Sequence, residues 1–220
     1  MVSAERATQG NAPTPHAASI GPATPERSAQ EGLSPTLRLD FSDPDSATCQ
    51  VQIVKADAET TFAAIRTTDF TRSPLVIALT RLRALPDRAL RRLRRRPPRA
   101  RAARATVGDL IEAGYWVVLE DRPPRELALG LSMWDERIDE GGQSMERFHN
   151  PSPGAVRVGW AFTVEALGAH RSLLITETRT QALGDKARRR FRLYWRLIAP
   201  IAGFTRRLVL RAIAAEAEGR

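Results

Sequence analysis

The sequence has little of what disulfides and metal sites require. Cys49 is the only cysteine among 220 residues, so an intrachain disulfide is excluded. The three histidines (His16, His149 and His170) show no ligand spacing, and we predict neither a metal nor a cofactor. No apolar run reaches the roughly 18 residues that a membrane-spanning helix needs, and the N-terminus lacks a signal-peptide pattern. These absences predict a cytoplasmic protein.

Lysine is also scarce, since 32 of the 34 basic residues are arginine. The net charge of +9 is local, because eleven arginines and a single acid, Asp87, lie between Arg81 and Arg104. A compositional preference for arginine, a solvated loop, and a segment that docks on anionic membrane or nucleic acid would all produce this pattern. The docking alternative would use chiefly Arg91, Arg92, Arg94, Arg95 and Arg96.

Sustained hydrophobic periodicity is absent from the first 47 residues, which are rich in Ala, Pro, Ser, Thr and Gly. Such a composition does not bury enough apolar surface to offset the entropy of ordering. We therefore predict a disordered extension over 1–47 and one domain over 48–220. Paired prolines and like charges predict a solvated Arg/Pro-rich loop at about 91–105 within that domain.

Periodicity begins after residue 47 and predicts the elements of this domain. In "CQVQIVKAD", Val51 and Ile53 alternate with glutamines, which predicts a half-buried strand. Asp57 is placed to cap a first helix, and a second helical stretch starts near Pro74. "YWVVLE" and "ELALGLSMW", separated by "DRPPR", predict a hairpin. "AVRVGWAFTVEAL" and "SLLITETRTQAL" predict two further strands.

The C-terminal stretch from Asp185 to about Glu218 predicts a long helix with a kink at Pro200. At 100° per residue, the arginines of "ARRRFRLYWRLIAPI" form one stripe, and the aromatic and aliphatic side chains fill a broad opposite arc. A nucleic-acid helix would place aromatic rings beside the arginines for base stacking. Because the two kinds of side chain separate, we predict a helix that covers a core, with Leu193, Leu197, Phe191 and Trp195 turned inward.

Arg190 falls inside this apolar arc, where an unpaired guanidinium would be costly. On the preceding strand, Glu177 and Arg179 alternate in phase with Leu173 and Ile175, which predicts that their face is the inner one. One hypothesis is that Glu177 pairs with Arg190 or Arg179 at the wall of an interior cavity. An ion pair without any ligand and a solvent-exposed Glu177 are the alternatives.

The stretch "VKADAETTFAAI" resembles the strand-to-helix opening of the START-like (SRPBCC) superfamily, which includes polyketide cyclases and lipid-transfer proteins. "LLITETRTQALGDKARRRFRLYWRLIAPIAGFTRRLVLRAI" and "GLSMW" resemble an actinobacterial-type branch of that superfamily. The resemblance covers residues 48–218. It implies an α+β helix-grip fold, in which a curved antiparallel sheet wraps around a long C-terminal helix and two short helices follow the first strand. It also implies a hydrophobic cavity, but no particular reaction.

The leading functional hypothesis is binding or transport of a hydrophobic small molecule of the lipid, polyketide or isoprenoid class. Apolar walls and a few polar anchors are typical of such sites. The candidate ligand contacts are Trp134, Trp160, Phe162, Glu177, Arg179, Arg190 and Tyr194. For the aromatic residues, plain core packing is the alternative.

A cyclase, dehydratase or isomerase is the second hypothesis. A desolvated Glu177 would be its acid or base, and His149 is the other candidate. Whether the protein is an enzyme is left open by the sequence.

Overall fold

The computed structural model describes residues 34–72, 75, 77–78, 106–135, 137 and 142–220. The first 33 residues, most of the helical stretch predicted after Pro74 and the Arg/Pro-rich loop at about 91–105 lie outside the described residues. No helix of the described ranges is both long enough and apolar enough to cross a membrane.

A five-stranded antiparallel sheet and a long C-terminal helix dominate the described residues, with short helices between them. The spatial order of the strands is β1-β5-β4-β3-β2. This arrangement confirms the predicted α+β helix-grip architecture. The elements, in chain order, are α1 (Pro35–Asp40), β1 (Ser46–Val54), α2 (Ala58–Thr67), a 3-10 turn (Phe70–Arg72), α3 (Val107–Glu112), β2 (Val117–Arg122), β3 (Glu126–Met133), α4 (Met145–His149), β4 (Val156–Ala166), β5 (Ser172–Ala182) and α5 (Asp185–Ala217).

Local capping explains where the short helices begin. The Asp57 carboxylate accepts a hydrogen bond from the Thr60 amide at 2.7 Å, so α2 begins as the sequence predicts. At α3, Thr106 and Asp109 form a reciprocal capping box. Each cap satisfies amide groups that would otherwise lack a partner within the helix.

The inner face of the sheet, which we define as the face toward α5, carries the main core. Alternate strand residues on this face pack against α2 and the C-terminal half of α5. The strand members are Val54, Leu127, Leu129, Phe162, Val164 and Leu174, and the α5 members are Val209, Leu210, Ile213 and Ala214.

The α5 helix covers this face with only part of its apolar arc. Phe191 and Ile198 are buried, which confirms that α5 covers a core. Leu193 and Leu197, however, are each 67% exposed, so their predicted inward direction is wrong. An apolar arc of about 200° is wider than the contact that one helix makes with a sheet.

Three hydrogen bonds join α5 and its C-cap residue to the edge strand β1 and to the residues on either side of that strand. They are Arg188 Nε to Asp45 Oδ1 at 2.6 Å, Gln50 Nε2 to the Gly203 carbonyl at 3.0 Å, and the Lys55 amide to Glu218 Oε1 at 2.8 Å. The helix is therefore connected to the β1 edge of the sheet near both of its ends and at its middle.

Strand β1 turns its glutamine side toward α5, and its valine and isoleucine side away from α5. Val51 and Ile53 point away from α5 and are 48% and 43% exposed. Gln50 and Gln52 lie on the inner face, because they alternate in phase with Val54, which is in the core. The predicted half-buried strand is present, and the Gln50 amide on its inner face is hydrogen-bonded to the Gly203 carbonyl of α5.

The outer face of the sheet is covered by α1. Leu37 and Phe41 are fully buried against Ala128 and Ala161. Ser34 caps α1 by accepting a hydrogen bond from the Leu37 amide at 3.0 Å. The predicted boundary at residue 47 is therefore wrong, since residues 34–47 belong to the folded domain. The serine followed by proline was the available signal for a helix start.

The short helix α4 extends the outer-face cover toward β2. Phe148 packs over Gly130, and the Arg157 guanidinium lies 4.9 and 4.5 Å from the ring centroids of Phe41 and Phe148. Burial lowers the pKa of Arg157 from its ordinary value. Both faces of the sheet are thus packed around β3 and β4.

Candidate ligand site on the inner face

An aromatic group lies on the inner face beside the main core. The Trp160 ring is 5.5 Å from the Trp116 ring and 4.7 Å from the Phe162 ring, measured between centroids. Trp160 Nε1 donates a hydrogen bond to Thr176 Oγ1 at 2.8 Å, which fixes the orientation of the indole. Phe162 is fully buried, whereas Trp116 and Trp160 are half-buried. Phe162 therefore packs in the core, and the two tryptophans keep part of their surface open.

A second aromatic group lies under the N-terminal half of α5. Trp134 and Tyr194 meet edge to face at 5.7 Å, and Phe191 stacks on Trp195 at the same centroid distance. Trp134, Tyr194 and Trp195 are each half-buried. Trp116 packs against the clusters that contain both groups, so the aromatic surface is continuous.

The Arg190 guanidinium packs over the ring of Trp134. Its Cζ lies 4.0 Å from the centroid of the Trp134 ring, within cation–π range. Arg190 is exposed, so the long side chain reaches from the apolar arc to solvent across the indole. The structure therefore brings together three of the predicted site residues, Trp134, Tyr194 and Arg190.

The backbone at Trp134 has a left-handed conformation, with φ of +59°. This region is uncommon for a bulky residue and costs on the order of 1–3 kcal/mol. The next residue, Asp135, is buried and holds the chain in place. Its carboxylate accepts hydrogen bonds from the Ser152 amide at 3.0 Å and hydroxyl at 2.7 Å, and also from Arg137. Burial acts to raise the pKa of Asp135, but these hydrogen bonds outweigh it and lower the pKa to about 2.

Glu177 and Arg179 lie on the outer face, behind the sheet as seen from the aromatic groups. Arg179 Nε contacts Glu177 Oε1 at 2.5 Å, and the Ser34 amide donates to Glu177 Oε2 at 3.0 Å. The pair with Arg179 is present, but the prediction that this face is the inner one is wrong. Leu173 and Ile175 are buried although they share the outer face, so their apolar character does not identify the helix side. Any ligand or catalytic role of Glu177 stays a prediction.

A second buried carboxylate on the outer face, Glu126, was missed by the sequence reasoning. The Ser34 hydroxyl donates to Glu126 Oε1 at 2.5 Å, while the Ser34 amide binds Glu177. Ser34 therefore connects two carboxylates on different strands. In "ELALGLSMW", Glu126 is the polar first residue of a predicted strand, and only the position of Ser34 shows why it is buried.

His149 also lies on the outer face, where its ring contacts Phe148 at 5.3 Å. It lines a cavity of about 360 Å³ between α1, α4 and β2, on the opposite face of the sheet from the aromatic groups. Within the described residues, no group of three or more His, Cys, Asp or Glu side chains is placed to hold a metal ion.

Trp116 and Thr176 are the inner-face residues that the sequence reasoning did not single out. Trp116 is in phase with Val118, which packs against the main core, so the alternation of "YWVVLE" contained the signal. Thr176 lies opposite Phe162 in the β4–β5 register. Thr176 matters because its hydroxyl binds the indole of Trp160 on the neighbouring strand. No local sequence pattern indicates that contact.

Solved structures that are similar to this chain include the following two. One is a conserved protein from Geobacillus kaustophilus, with 9% identity and a TM-score of 0.38 over 78% of this chain and 95% of that one. The other is the Zhui aromatase/cyclase from Streptomyces sp. R1128, with 10% identity and a TM-score of 0.31 over 79% and 93%. No family model and no curated protein matches the chain. The actinobacterial-type branch stays a prediction.

Proposed function

We propose that the inner-face aromatic groups bind a planar, apolar small molecule of the aromatic polyketide type. The observation that carries the proposal is the half-buried state of Trp116 and Trp160, which pack against a core of buried side chains. Partly exposed indole rings favour a flat, unsaturated partner over a flexible acyl chain, because offset stacking adds to plain area burial.

The second aromatic group would complete the site at its solvent side. Trp134 and Tyr194 continue the apolar wall, and Arg190 lies over Trp134 at 4.0 Å. A guanidinium at the mouth of an apolar site is suited to orient a phenolate, carboxylate or carbonyl oxygen of the ligand. This gives the ligand a buried ring system and one polar end.

Binding without catalysis is the better supported activity. The carboxylate that the sequence suggested as acid or base, Glu177, is on the other side of the sheet. The Thr176 hydroxyl beside Trp160 already accepts the indole N–H and contacts the Ala161 carbonyl. The described residues near the tryptophans thus supply surface and orientation instead of a poised acid–base pair.

Titration with 1,8-dihydroxyanthraquinone by isothermal calorimetry tests the proposal. We expect the wild-type chain to bind this probe, and Trp160→Leu to weaken binding by about tenfold or more because one stacking surface is lost. Leu39→Ala, on the exposed side of α1, is the control that should leave the affinity unchanged. Native mass spectrometry of the purified chain should also show a co-purifying apolar molecule. No binding by wild type, or equal binding by the Trp160 variant, would refute the proposal.

A further inference from the structure

The exposed side of α5 carries an apolar ridge, which we define as Leu193, Leu197 and Phe204. The two leucines are 67% exposed and Phe204 is 43% exposed. At 100° per residue the three side chains fall within about 40° of one another on the helix surface. The three side chains therefore lie on one side of the helix, away from the buried Phe191 and Ile198.

Basic side chains flank the ridge along its whole length. From Lys186 to Arg211, α5 contains nine basic residues and no acid. The exposed arginines within about 60° of the ridge are Arg189, Arg190, Arg196, Arg207 and Arg211, and Arg192 lies further round the helix. The partner of this surface must therefore accept cations and apolar side chains at the same time.

We propose that the α5 ridge docks on an anionic phospholipid surface. Guanidinium groups match phosphate and serine headgroups, and leucine and phenylalanine side chains just below them reach the acyl boundary. Amphipathic helices that lie in the membrane interface combine these same two features. Since α5 is held to β1 at three points, the ridge is presented without any unfolding of the helix.

A nucleic acid fits the ridge less well. Phosphate contacts would use the arginines, and base stacking would use Phe204, but two aliphatic leucines have no partner on a duplex or on a stacked single strand. Burial of Leu193 and Leu197 in lipid removes apolar surface from water, which is favourable. This docking is independent of ligand binding on the inner face.

Vesicle flotation with the full-length chain tests the apolar part of the ridge. The vesicles contain phosphatidylcholine alone or with about 30% phosphatidylserine. We expect wild type to bind the anionic vesicles, and the double variant Leu193→Ser/Leu197→Ser to lower the apparent partition coefficient by about tenfold or more at unchanged charge. The matched control is Leu39→Ser, which removes a leucine that is 85% exposed on another surface and should have no effect.

The basic part is tested by charge reversal. Arg189→Glu/Arg196→Glu should abolish vesicle binding at low salt, while Arg125→Glu/Arg171→Glu changes the net charge equally on exposed residues away from α5 and should weaken it far less. Circular dichroism and thermal unfolding check that each variant is folded.

Three results would overturn the proposal. The first is equal binding to phosphatidylcholine vesicles, and the second is vesicle binding that the leucine variant leaves unchanged. The third is binding of a 20-base-pair DNA duplex without vesicle binding, which would identify a nucleic-acid surface instead.

Discussion

Two glycines, Gly159 and Gly130, allow the side chains on the outer face to pack closely against the sheet. A Cβ atom on Gly159 would lie 2.5 Å from Leu37 Cδ2 and 2.6 Å from Phe41 Cε2, which is closer than real contacts allow. Gly130 makes the same room for Phe148. These glycines are needed for the close approach of neighbouring side chains, and strand propensity alone would disfavour them.

Gly159→Ala should therefore destabilise the domain by about 1–3 kcal/mol, because Leu37 and Phe41 must move out of a packed site. The matched control is Gly203→Ala, within α5, where the nearest atom to a new Cβ is 3.9 Å away. That variant should be neutral or up to about 1 kcal/mol more stable, since alanine favours the helix. Urea unfolding of both variants measures the difference, and equal stabilities would contradict this packing.

At the residue scale, the sequence predicts contacts that are local in the chain. Asp57 is a cap because its partner, Thr60, is three residues away. Arg190 was identified as a misfit in an apolar arc, but its contact with Trp134 was not predicted, because Trp134 is 56 positions away and has a left-handed backbone. Neither the left-handed backbone at Trp134 nor a contact between residues so far apart in the chain produces a pattern in the local sequence.

At the scale of elements, the end of β3 depends on one buried carboxylate. The carboxylate of Asp135, the residue after Trp134, is hydrogen-bonded to Ser152, which precedes β4. A pKa of about 2 in the folded state, against an ordinary 3.8, means that the ionised carboxylate stabilises the fold. This stabilisation is fully present above about pH 4 and is lost as the pH falls through the folded pKa.

Asp135→Asn should lower the free energy of unfolding at pH 7 by about 2 kcal/mol, since one pKa unit corresponds to about 1.4 kcal/mol. The variant should also show a smaller loss of stability between pH 4 and pH 2 than wild type. Urea unfolding at several pH values measures both effects, with Asp43→Asn, on an exposed loop, as the control. An unchanged pH dependence in Asp135→Asn would show that another carboxylate is responsible.

Elements were easier to predict than the faces they present. The hairpin, the two later strands and the long helix all follow from periods of 2 and 3.6. The predicted inner face of β5 was wrong, because alternation divides a strand into two sides without showing which side faces the helix. Glu177 shows the consequence, since its strand is apolar on both sides and α1 covers the outer one.

At the scale of the whole molecule, the outer layer makes residues 34–47 part of the domain. Leu37 and Phe41 cover the sheet, and Ser34 donates hydrogen bonds to Glu126 and Glu177. Without this segment, two carboxylates and an apolar surface would lose their cover together. The segment shows no hydrophobic period in the sequence, because the six residues of α1 are too few to show a repeat.

A chain that begins at Ser34 should therefore unfold cooperatively at nearly the temperature of the full-length protein. A chain that begins at residue 48, the boundary predicted from sequence, should be strongly destabilised or aggregate, because the removed segment leaves Glu126 without its serine donor. Thermal unfolding and size-exclusion chromatography distinguish the two. Equal stability of both chains would mean that α1 contributes nothing to the free energy of unfolding.

The three hydrogen bonds between α5 and β1 also restrict how a guest molecule would reach the tryptophans. Both ends of the helix are anchored to residues that flank the same edge strand. A helix anchored near both ends is expected to stay in place, so a ligand of the proposed inner-face site would enter at the opposite margin of the sheet, next to β2. Trp116 immediately precedes that strand.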